Sequence, residues 1–341
     1  MKTDRPSILL RLHDKLAGLF EKLPGSLQKP ILRELRPIRD LFLDQRAPRL
    51  ALFGNDSTST PALLAAMDIS GLHTGHSTQG WRHYSTSTGA AILVLDARND
   101  APTQHLEAAL ALHQPDLALV LEDAEPAPAN WQTTLQRLSS TTAPVVSLCP
   151  QSHIQSRLEE FLRSDPTLSA RTIASISITD PAAPEILCAA LPASAQLEFA
   201  RFTNARRAQA LIASSLLKSF SGLCGVIGMQ PIPLADLPIL LTLQSLMVGL
   251  IIHTTGRPVN ARLITEFLGA LGLGAAAGYA FREIARIAIR IVPFWGHAVS
   301  GLIAGAGTYA IGKAAIAYFI DDTPLAETRR LFRKMLRNRH P

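Results

Sequence analysis

The stretch Arg49-Leu-Ala-Leu-Phe-Gly-Asn-Asp-Ser-Thr-Ser-Thr-Pro61 decides how the first half of this chain is interpreted. An apolar run ends at Gly54, a polar loop follows, and a helical pattern begins after Pro61. A strand, a glycine-led loop and a helix in this order are typical of the phosphate-binding loop of an α/β nucleotide-binding fold. The stretch therefore predicts such a fold, with the loop at the carboxyl end of its first strand.

The loop departs from the pattern G-x-x-x-x-G-K-S/T at the three positions that carry most of its chemistry. Counted from Gly54, those positions hold Ser59, Thr60 and Pro61. The lysine that neutralises phosphate and the hydroxyl that binds Mg²⁺ are absent, and proline has no backbone N–H to donate. The residues that remain as candidate phosphate contacts are Gly54, Asn55, Ser59 and Thr60.

Between residue 49 and about residue 192, short apolar runs alternate with helical stretches, which predicts a three-layer α/β sheet with crossover helices. The runs are almost continuously apolar, as in a mostly parallel sheet that is covered on both faces. The predicted strands are 50–53, 90–95, 117–121, 144–149 and 172–178, and the predicted helices are 61–68, 101–112, 130–139, 153–164 and 181–190.

The rest of the chain is predicted to be helical. Apolar positions at helical spacing in residues 7–43 predict two amphipathic helices. Beyond about residue 195 the chain is strongly apolar, and the stretches 219–235, 237–256 and 291–312 contain no Asp, Glu, Lys or Arg. The last two reach the length of about 20 residues that spans a bilayer. Because Pro238, Gln244 and His297 interrupt them, a soluble helical bundle and membrane-inserted helices both stay open.

Composition and charge narrow the class of protein. With 341 residues, 47% of them hydrophobic and 18% charged, the chain is long enough for two domains and more apolar than an ordinary soluble enzyme. Three cysteines without paired spacing and no secretory leader pattern favour a location on the cytoplasmic side. The net charge of +6 is concentrated at the two ends. The basic end from Arg329 is expected to attract anionic lipid or an acidic partner, and no nucleic-acid-binding motif is present.

Two further landmarks of a nucleotide site are present in altered form. A metal-site motif D-x-x-G is expected after the strand 90–95, where Asp96 is followed by Asn99 in place of glycine. A switch-like segment, 74–84, contains Thr78, which could reach a metal ion. Asp96 and Thr78 are therefore the candidate Mg²⁺ ligands. The base-reading motif N-K-x-D has no counterpart in 144–153, so guanine selectivity has no visible source.

The order of these pieces resembles a bacterial Era-like small GTPase with a degenerate phosphate loop, fused to a C-terminal helical domain of unknown function of the YcjF-like type. The resemblance covers most of the chain. It is carried by the runs Ile31 to Gly54, Gly80-Trp-Arg-His-Tyr84, Cys224-Gly-Val-Ile-Gly-Met-Gln-Pro-Ile-Pro-Leu-Ala-Asp236-Leu-Pro-Ile, Leu243-Gln-Ser-Leu-Met247 and Gly307-Thr-Tyr-Ala-Ile-Gly-Lys-Ala-Ala-Ile-Ala-Tyr-Phe319.

The resemblance implies a P-loop GTPase-like three-layer sheet (α/β) combined with an all-α domain. The expected domains are amphipathic helices (1–46), a degenerate GTPase-like domain (47–194), an apolar helical domain (195–322) and a basic tail (323–341). It also implies a location on the cytoplasmic side of the inner membrane, either peripheral or integral, through the helical domain and the basic tail.

The expected function is that of a catalytically inactive pseudo-GTPase, a scaffold that binds a protein partner and the membrane surface. No cofactor and no catalytic residue are expected under this hypothesis. Two alternatives stay open: a divergent protein that binds GTP and Mg²⁺ with weak or partner-assisted hydrolysis, and an integral membrane protein with a cytosolic regulatory domain.

Overall fold

The computed structural model describes residues 38, 42, 44–55, 58–66, 69, 72–99, 103–121, 128–149, 159–160, 162–163, 165–229, 236–273 and 296–337. The chain divides into two compact units. The sheet unit is Gln45–Ala208, and the helical unit combines Met1–Asp44 with Gln209–Pro341. The helices predicted within 7–43 and 153–164 lie almost entirely outside the described residues.

The sheet unit is built on a mixed sheet in which seven strands are described, in the order β2-β3-β4-β1-β5-β6-β7. Strands β4, β1, β5, β6 and β7 run parallel, whereas β2 and β3 form an antiparallel hairpin at one edge. The strands are β1 (Arg49–Gly54), β2 (His73–Thr78), β3 (Trp81–Ser85), β4 (Ala91–Asp96), β5 (Leu117–Leu121), β6 (Val145–Cys149) and β7 (Thr172–Ser177).

Every strand predicted from an apolar run is present, and the central strands β5 and β6 are buried at every position. Burial of consecutive residues on both faces is the reason why these runs are continuous rather than alternating. The described helices of this unit are α1 (Thr60–Ala66), α2 (Thr103–Leu112), α3 (Pro128–Leu138), α4 (Pro166–Arg171), α5 (Ala183–Ala190) and α6 (Ala193–Phe202). Helices α1, α2, α3 and α5 lie close to their predicted positions.

Residues 74–84, for which no strand was predicted, lie within the β2–β3 hairpin. Gln79 and Gly80, both at positive φ, form a two-residue turn of the kind that closes hairpins. β3 buries Trp81 and Tyr84, and the Trp81 indole N–H donates to the Ala109 carbonyl at 3.0 Å. β2 is exposed at all six positions and contains no apolar run. No apolar pattern in the sequence therefore indicated that β2 would pair with β3.

Helix α6 belongs to the sheet unit, which extends to Ala208 beyond the boundary expected at residue 194. Glu198 accepts a hydrogen bond from the backbone N–H of Ala91 at 3.3 Å, and Arg201 donates to the Thr88 carbonyl at 3.1 Å. The same two side chains form a largely buried ion pair of 2.8 Å. These bonds attach α6 to the turn that leads into β4.

In the helical unit, glycines bring two long helices into close contact. The described helices are α7 (Arg206–Gly228), α8 (Asp236–Thr254), α9 (Ala261–Ala270), α10 (Gly296–Phe319) and α11 (Leu325–Arg337). A Cβ added at Gly305 would lie 3.0 Å from the Ser221 carbonyl oxygen, and one at Gly301 would lie 2.6 Å from that of Gly225. Small residues spaced as in Gly301-x-x-x-Gly305 allow two helices to approach closely, as α7 and α10 do. A second stretch with this spacing, Gly274-x-x-x-Gly278, lies outside the described residues.

A buried polar contact accompanies the glycines. Gln244 on α8 donates from Nε2 to Thr308 Oγ1 on α10 at 3.1 Å, which is an interhelical hydrogen bond. Thr308 in turn donates to the Ala304 carbonyl at 2.9 Å. Because buried polar groups are costly without partners, this chain of bonds lets Gln244 lie among apolar helices and specifies how α8 and α10 pair.

Two described helices are long and apolar enough to span a membrane, namely Arg206–Gly228 and the part Ser300–Phe319 of α10. The predicted stretch 237–256 corresponds to a shorter apolar helix, Ile239–Thr254. About half of each spanning-length segment is buried inside the protein. Length and composition thus permit membrane insertion, and the same helices also serve as packing elements of the unit.

Candidate functional site

The candidate site lies at the carboxyl ends of the central strands. β1 is flanked by β4 on one side and by β5 on the other. The order in which the strands are added to the sheet therefore reverses next to β1. In open α/β sheets this topological switch point is where ligands bind. The loop after β1 begins with Gly54 and Asn55, and the loop after β4 begins beside it with Asp96.

Gly54 is required by the sheet itself. Its φ is +102°, and a Cβ at this position would lie 2.1 Å from the backbone oxygen of Leu121. The backbone N–H of Asn55 donates to that same oxygen at 3.0 Å, and the Gly54 carbonyl accepts from Asn99 N–H at 3.0 Å. The loop after β1 is thereby attached to the ends of β4 and β5. Close approach of backbone to backbone accounts for this glycine without reference to a phosphate.

Ser59 and Thr60 lie at the start of α1, a helix of seven residues. The Ser59 carbonyl accepts from Leu63 N–H at 2.9 Å, and its hydroxyl accepts a long hydrogen bond of 3.4 Å from Ala62 N–H. Ser59 therefore acts as the cap of α1. Thr60 is buried. Of the four predicted phosphate contacts, Gly54 and Asn55 therefore lie at the end of β1, and Ser59 and Thr60 lie at the start of α1.

The Asp96 carboxylate is paired with Arg98. The Arg98 Nε donates to Asp96 Oδ1 at 2.9 Å and its Nη2 donates to Oδ2 at 2.6 Å, so both carboxylate oxygens are engaged. The Arg98 backbone N–H adds a third, longer bond of 3.3 Å. Asp96 is 44% exposed and Arg98 only 13%. This fork geometry is the strongest arrangement available to an arginine–carboxylate pair.

Arg98 also reaches the candidate phosphate loop. Its remaining terminal nitrogen, Nη1, donates to the backbone carbonyl of Thr58, which directly precedes Ser59. One guanidinium group therefore connects the end of β4 with the loop after β1. We call the set Asp96, Arg98 and the Thr58 carbonyl the arginine latch.

The latch determines the charge state of Asp96. Burial acts to raise the pKa of this carboxyl group, but the hydrogen bonds and positive charge of Arg98 outweigh burial, and the pKa lies below its ordinary value of 3.8. The carboxylate is therefore ionised at neutral pH, with its charge compensated by the chain's own arginine. A divalent ion that coordinated Asp96 directly would have to compete with that arginine for the carboxylate oxygens.

A second arginine holds the loop that follows Asp96. Arg137 on α3 donates from its two terminal nitrogens to the carbonyls of Ala97, Arg98 and Asn99, the bond to Asn99 measuring 3.1 Å. Thr134, also on α3, donates to the Asn99 side-chain oxygen at 3.3 Å. Because one guanidinium group donates to three consecutive carbonyls, the movement of this loop is restricted.

Thr78 and Asp96 are not brought together. Thr78 pairs with Trp81 across the hairpin, and Trp81 pairs with Leu95, the neighbour of Asp96. Two strand spacings, roughly 10 Å, therefore separate Thr78 from β4. Two ligands of one Mg²⁺ ion lie about 3 Å apart, given metal–oxygen bonds of about 2.1 Å. Within the part of the chain that is described, no group of three or more His, Cys, Asp or Glu residues could hold a metal ion.

The cysteines provide no reactive group at this site. Cys149, Cys188 and Cys224 are buried and form no disulfide bond, in agreement with their unpaired spacing. Burial, together with the nearby charge of Glu185, raises the pKa of the Cys188 thiol to about 12, so that this thiol stays protonated at neutral pH.

Sequence reasoning identified Asp96 but not Arg98 or Arg137. A basic residue two positions after the aspartate was the available signal for Arg98, because short spacing lets the two side chains meet. No comparable signal exists for Arg137, since it is 38 to 40 positions from the carbonyls that it binds.

The latch leads to a testable pH dependence. Changing Arg98 to Gln is expected to lower the free energy of unfolding at pH 7 by about 1 kcal/mol, because the pair is partly exposed to solvent. A carboxyl whose pKa is lowered by folding stabilises the protein above its unfolded value of 3.8 and loses that contribution as the pH falls through the folded pKa. The difference between wild type and the variant should therefore decrease in acid to the part that comes from the bond between Arg98 and the Thr58 carbonyl.

Urea unfolding at a series of pH values measures this difference. Arg163→Gln serves as the control, because Arg163 forms an exposed i,i+4 ion pair with Glu159 at 2.9 Å and is expected to change stability by less than about 0.5 kcal/mol. An Arg98→Gln effect that persists unchanged below the pKa of Asp96 would contradict the latch.

Comparison of the chain with protein-family models and with curated proteins finds no match.

Proposed function

We propose that this chain is a catalytically inactive, GTPase-like protein that serves as a membrane-associated scaffold for a protein partner. The sheet unit supplies the scaffold and the helical unit the membrane association. The observation that carries the proposal is the arginine latch, because the chain's own guanidinium occupies the carboxylate that a nucleotide-bound Mg²⁺ would need.

The strand arrangement supports a GTPase-like origin. β1 leads into the position of a phosphate loop, the neighbouring parallel strand β4 ends in an aspartate, and an antiparallel strand lies on the far side of β4. A P-loop GTPase has its phosphate loop and its metal-site aspartate on adjacent strands in this way. The resemblance noted from the sequence points in the same direction.

Three features support the loss of nucleotide chemistry. The loop carries no lysine, and Thr60, at the position of that lysine, is buried. Asp96 is neutralised by Arg98. Cys149, where the base-reading motif begins, is a buried residue at the end of β6 and offers no carboxylate to guanine. Phosphate, metal and base would each lack the partner that recognises it in a working GTPase.

Two features of the helical unit support membrane association. Two helices have the length and apolar composition of membrane spans. Helix α11 is strongly basic, with five Lys or Arg residues among thirteen. The cytoplasmic face of the inner membrane carries anionic lipid and is the location implied by the resemblance.

Nucleotide titration tests the proposal. Purified, nucleotide-stripped full-length protein is titrated with fluorescent GTP, GDP and ATP in the presence of Mg²⁺, and thermal unfolding is followed in parallel. We expect no binding up to about 1 mM, which corresponds to about −4 kcal/mol, and hence a stabilisation by ligand of less than about 0.5 kcal/mol. Asp96→Ala should behave like the wild type.

Micromolar binding of GTP that is lost in Asp96→Ala would overturn the proposal in favour of a divergent GTP-binding protein. In that case Asp96 would have to exchange Arg98 for Mg²⁺ on binding, and a phosphate release assay with and without cell extract would measure partner-assisted hydrolysis.

An integral membrane protein is the second candidate, favoured by α7 and by Ser300–Phe319 of α10. Membrane fractionation of the full-length chain separates the two. Release by high salt or alkaline carbonate supports peripheral association, whereas release by detergent alone supports helices that cross the bilayer.

A further inference from the structure

We propose that the exposed face of α11 is a docking surface for an anionic lipid bilayer, on which the helix lies parallel to the membrane plane. This inference rests on the membrane half of the proposed function and assigns it to named residues. It does not depend on the state of the nucleotide site.

Helix α11 divides into a packed face and a cationic face. Thr328 and Phe332 are buried, and Leu325 and Met335 are half-buried on the same side of the helix. α11 follows α10 through a short connection. Its apolar stripe is therefore already covered by protein and is unavailable for deep insertion into lipid. The face that remains exposed carries Arg329, Arg330, Arg333, Lys334 and Arg337.

The charges on this face lack internal compensation. Glu327 is the one acidic side chain on α11, and among the described residues none of the five cations has an ion-pair partner. Two other exposed arginines of the helical unit are paired: Arg257 with Asp322 at 3.0 Å and Arg262 with Glu266 at 2.6 Å. A concentrated, unpaired positive face is complementary to an extended negative surface.

The position of α11 in the chain favours lipid over other anionic surfaces. α11 begins at Leu325, shortly after the segment Ser300–Phe319 of α10, which has the length and apolar composition of a membrane span. Basic segments next to such a helix are attracted by anionic lipid headgroups. Leu331 and Leu336, which are 38% and 39% exposed, lie on the borders of the cationic face that are nearest to the protein.

Vesicle sedimentation tests the surface directly. The full-length chain is mixed with vesicles of phosphatidylcholine alone or of phosphatidylcholine with phosphatidylglycerol. We expect binding to the anionic vesicles only, and its loss when salt is raised, because ions screen exposed charges. The triple variant Arg329→Gln, Arg333→Gln, Arg337→Gln should bind the anionic vesicles at least tenfold more weakly.

A matched triple variant controls for net charge. Arg163→Gln, Arg257→Gln and Arg262→Gln remove three exposed arginines elsewhere on the chain, and this variant should bind within twofold of the wild type. Circular dichroism verifies that each variant is folded.

Several outcomes overturn the inference: equal binding to neutral vesicles, equal weakening by both triple variants, or binding of a homopolymeric RNA without binding of anionic vesicles. If the wild-type chain remains in the membrane fraction of cells while the α11 variant does so equally, membrane association stands and the α11 surface fails. If the wild type binds neither vesicles nor cell membranes, the membrane half of the proposed function fails with it.

Discussion

Changing Gly54 to Ala is expected to lower the free energy of unfolding of the sheet unit by about 4 kcal/mol, the largest effect anticipated for a single methyl group in this chain. Two costs add. An alanine at a φ of +102° is strained, and its Cβ would lie 2.1 Å from the Leu121 backbone oxygen. Because that oxygen belongs to a central strand, β5 cannot move away without disturbing its neighbours.

Gly89→Ala is the matched control. Gly89 also has a positive φ, +75°, but a Cβ there would meet nothing within 4 Å. Gly89→Ala should therefore lower the free energy of unfolding by about 1 kcal/mol, through backbone strain alone. Urea unfolding gives the free energies, and hydrogen exchange of peptides from β1 and β5 locates the loss. Equal effects at the two glycines would show that the contact with Leu121 does not constrain the loop.

Changing Gly301 to Ala is expected to destabilise the helical unit by about 2 kcal/mol, although alanine is the better helix former. The added Cβ would lie 2.6 Å from the Gly225 carbonyl oxygen and 2.3 Å from Met229 Cγ. The Met229 side chain can turn aside, but the Gly225 backbone cannot. Helices α7 and α10 must therefore separate, and buried contacts along the crossing are lost.

Gly307 lies on the same helix and provides a control for which the expected change in stability has the opposite sign. A Cβ at Gly307 would meet nothing within 4 Å, so Gly307→Ala should stabilise α10 by about 0.5 to 1 kcal/mol. Thermal unfolding and hydrogen exchange of α7 and α10 peptides measure both variants. Stabilisation by both substitutions would contradict a close crossing of the two helices.

The site could be predicted in part. The missing lysine and glycine of the loop can be read directly from Ser59 and Thr60, and the aspartate after an apolar run was found in the same way. Short spacing indicated that Arg98 could meet Asp96, but contacts with distant segments could not be read from the sequence. Arg98 meets the Thr58 carbonyl 40 positions earlier, and Gly54 meets Leu121 across 67 positions. Nothing in the local pattern specifies contacts over such separations.

The sequence by itself determined where the parallel strands and most described helices of the sheet unit lie. Strands that are buried on both faces need continuous apolar runs, and helices that pack on a sheet need apolar residues every three to four positions. It also determined that the loop after β1 lacks the residues of a phosphate-binding loop, since that depends on residue identity alone. The tertiary structure decided the rest. The polar strand β2 exists because β3 offers it backbone partners, Arg98 connects two loops because folding brings the Thr58 carbonyl to it, and the basic face of α11 is exposed because its apolar stripe packs on protein. Each of these depends on contacts between different segments, which periodicity along the chain does not encode.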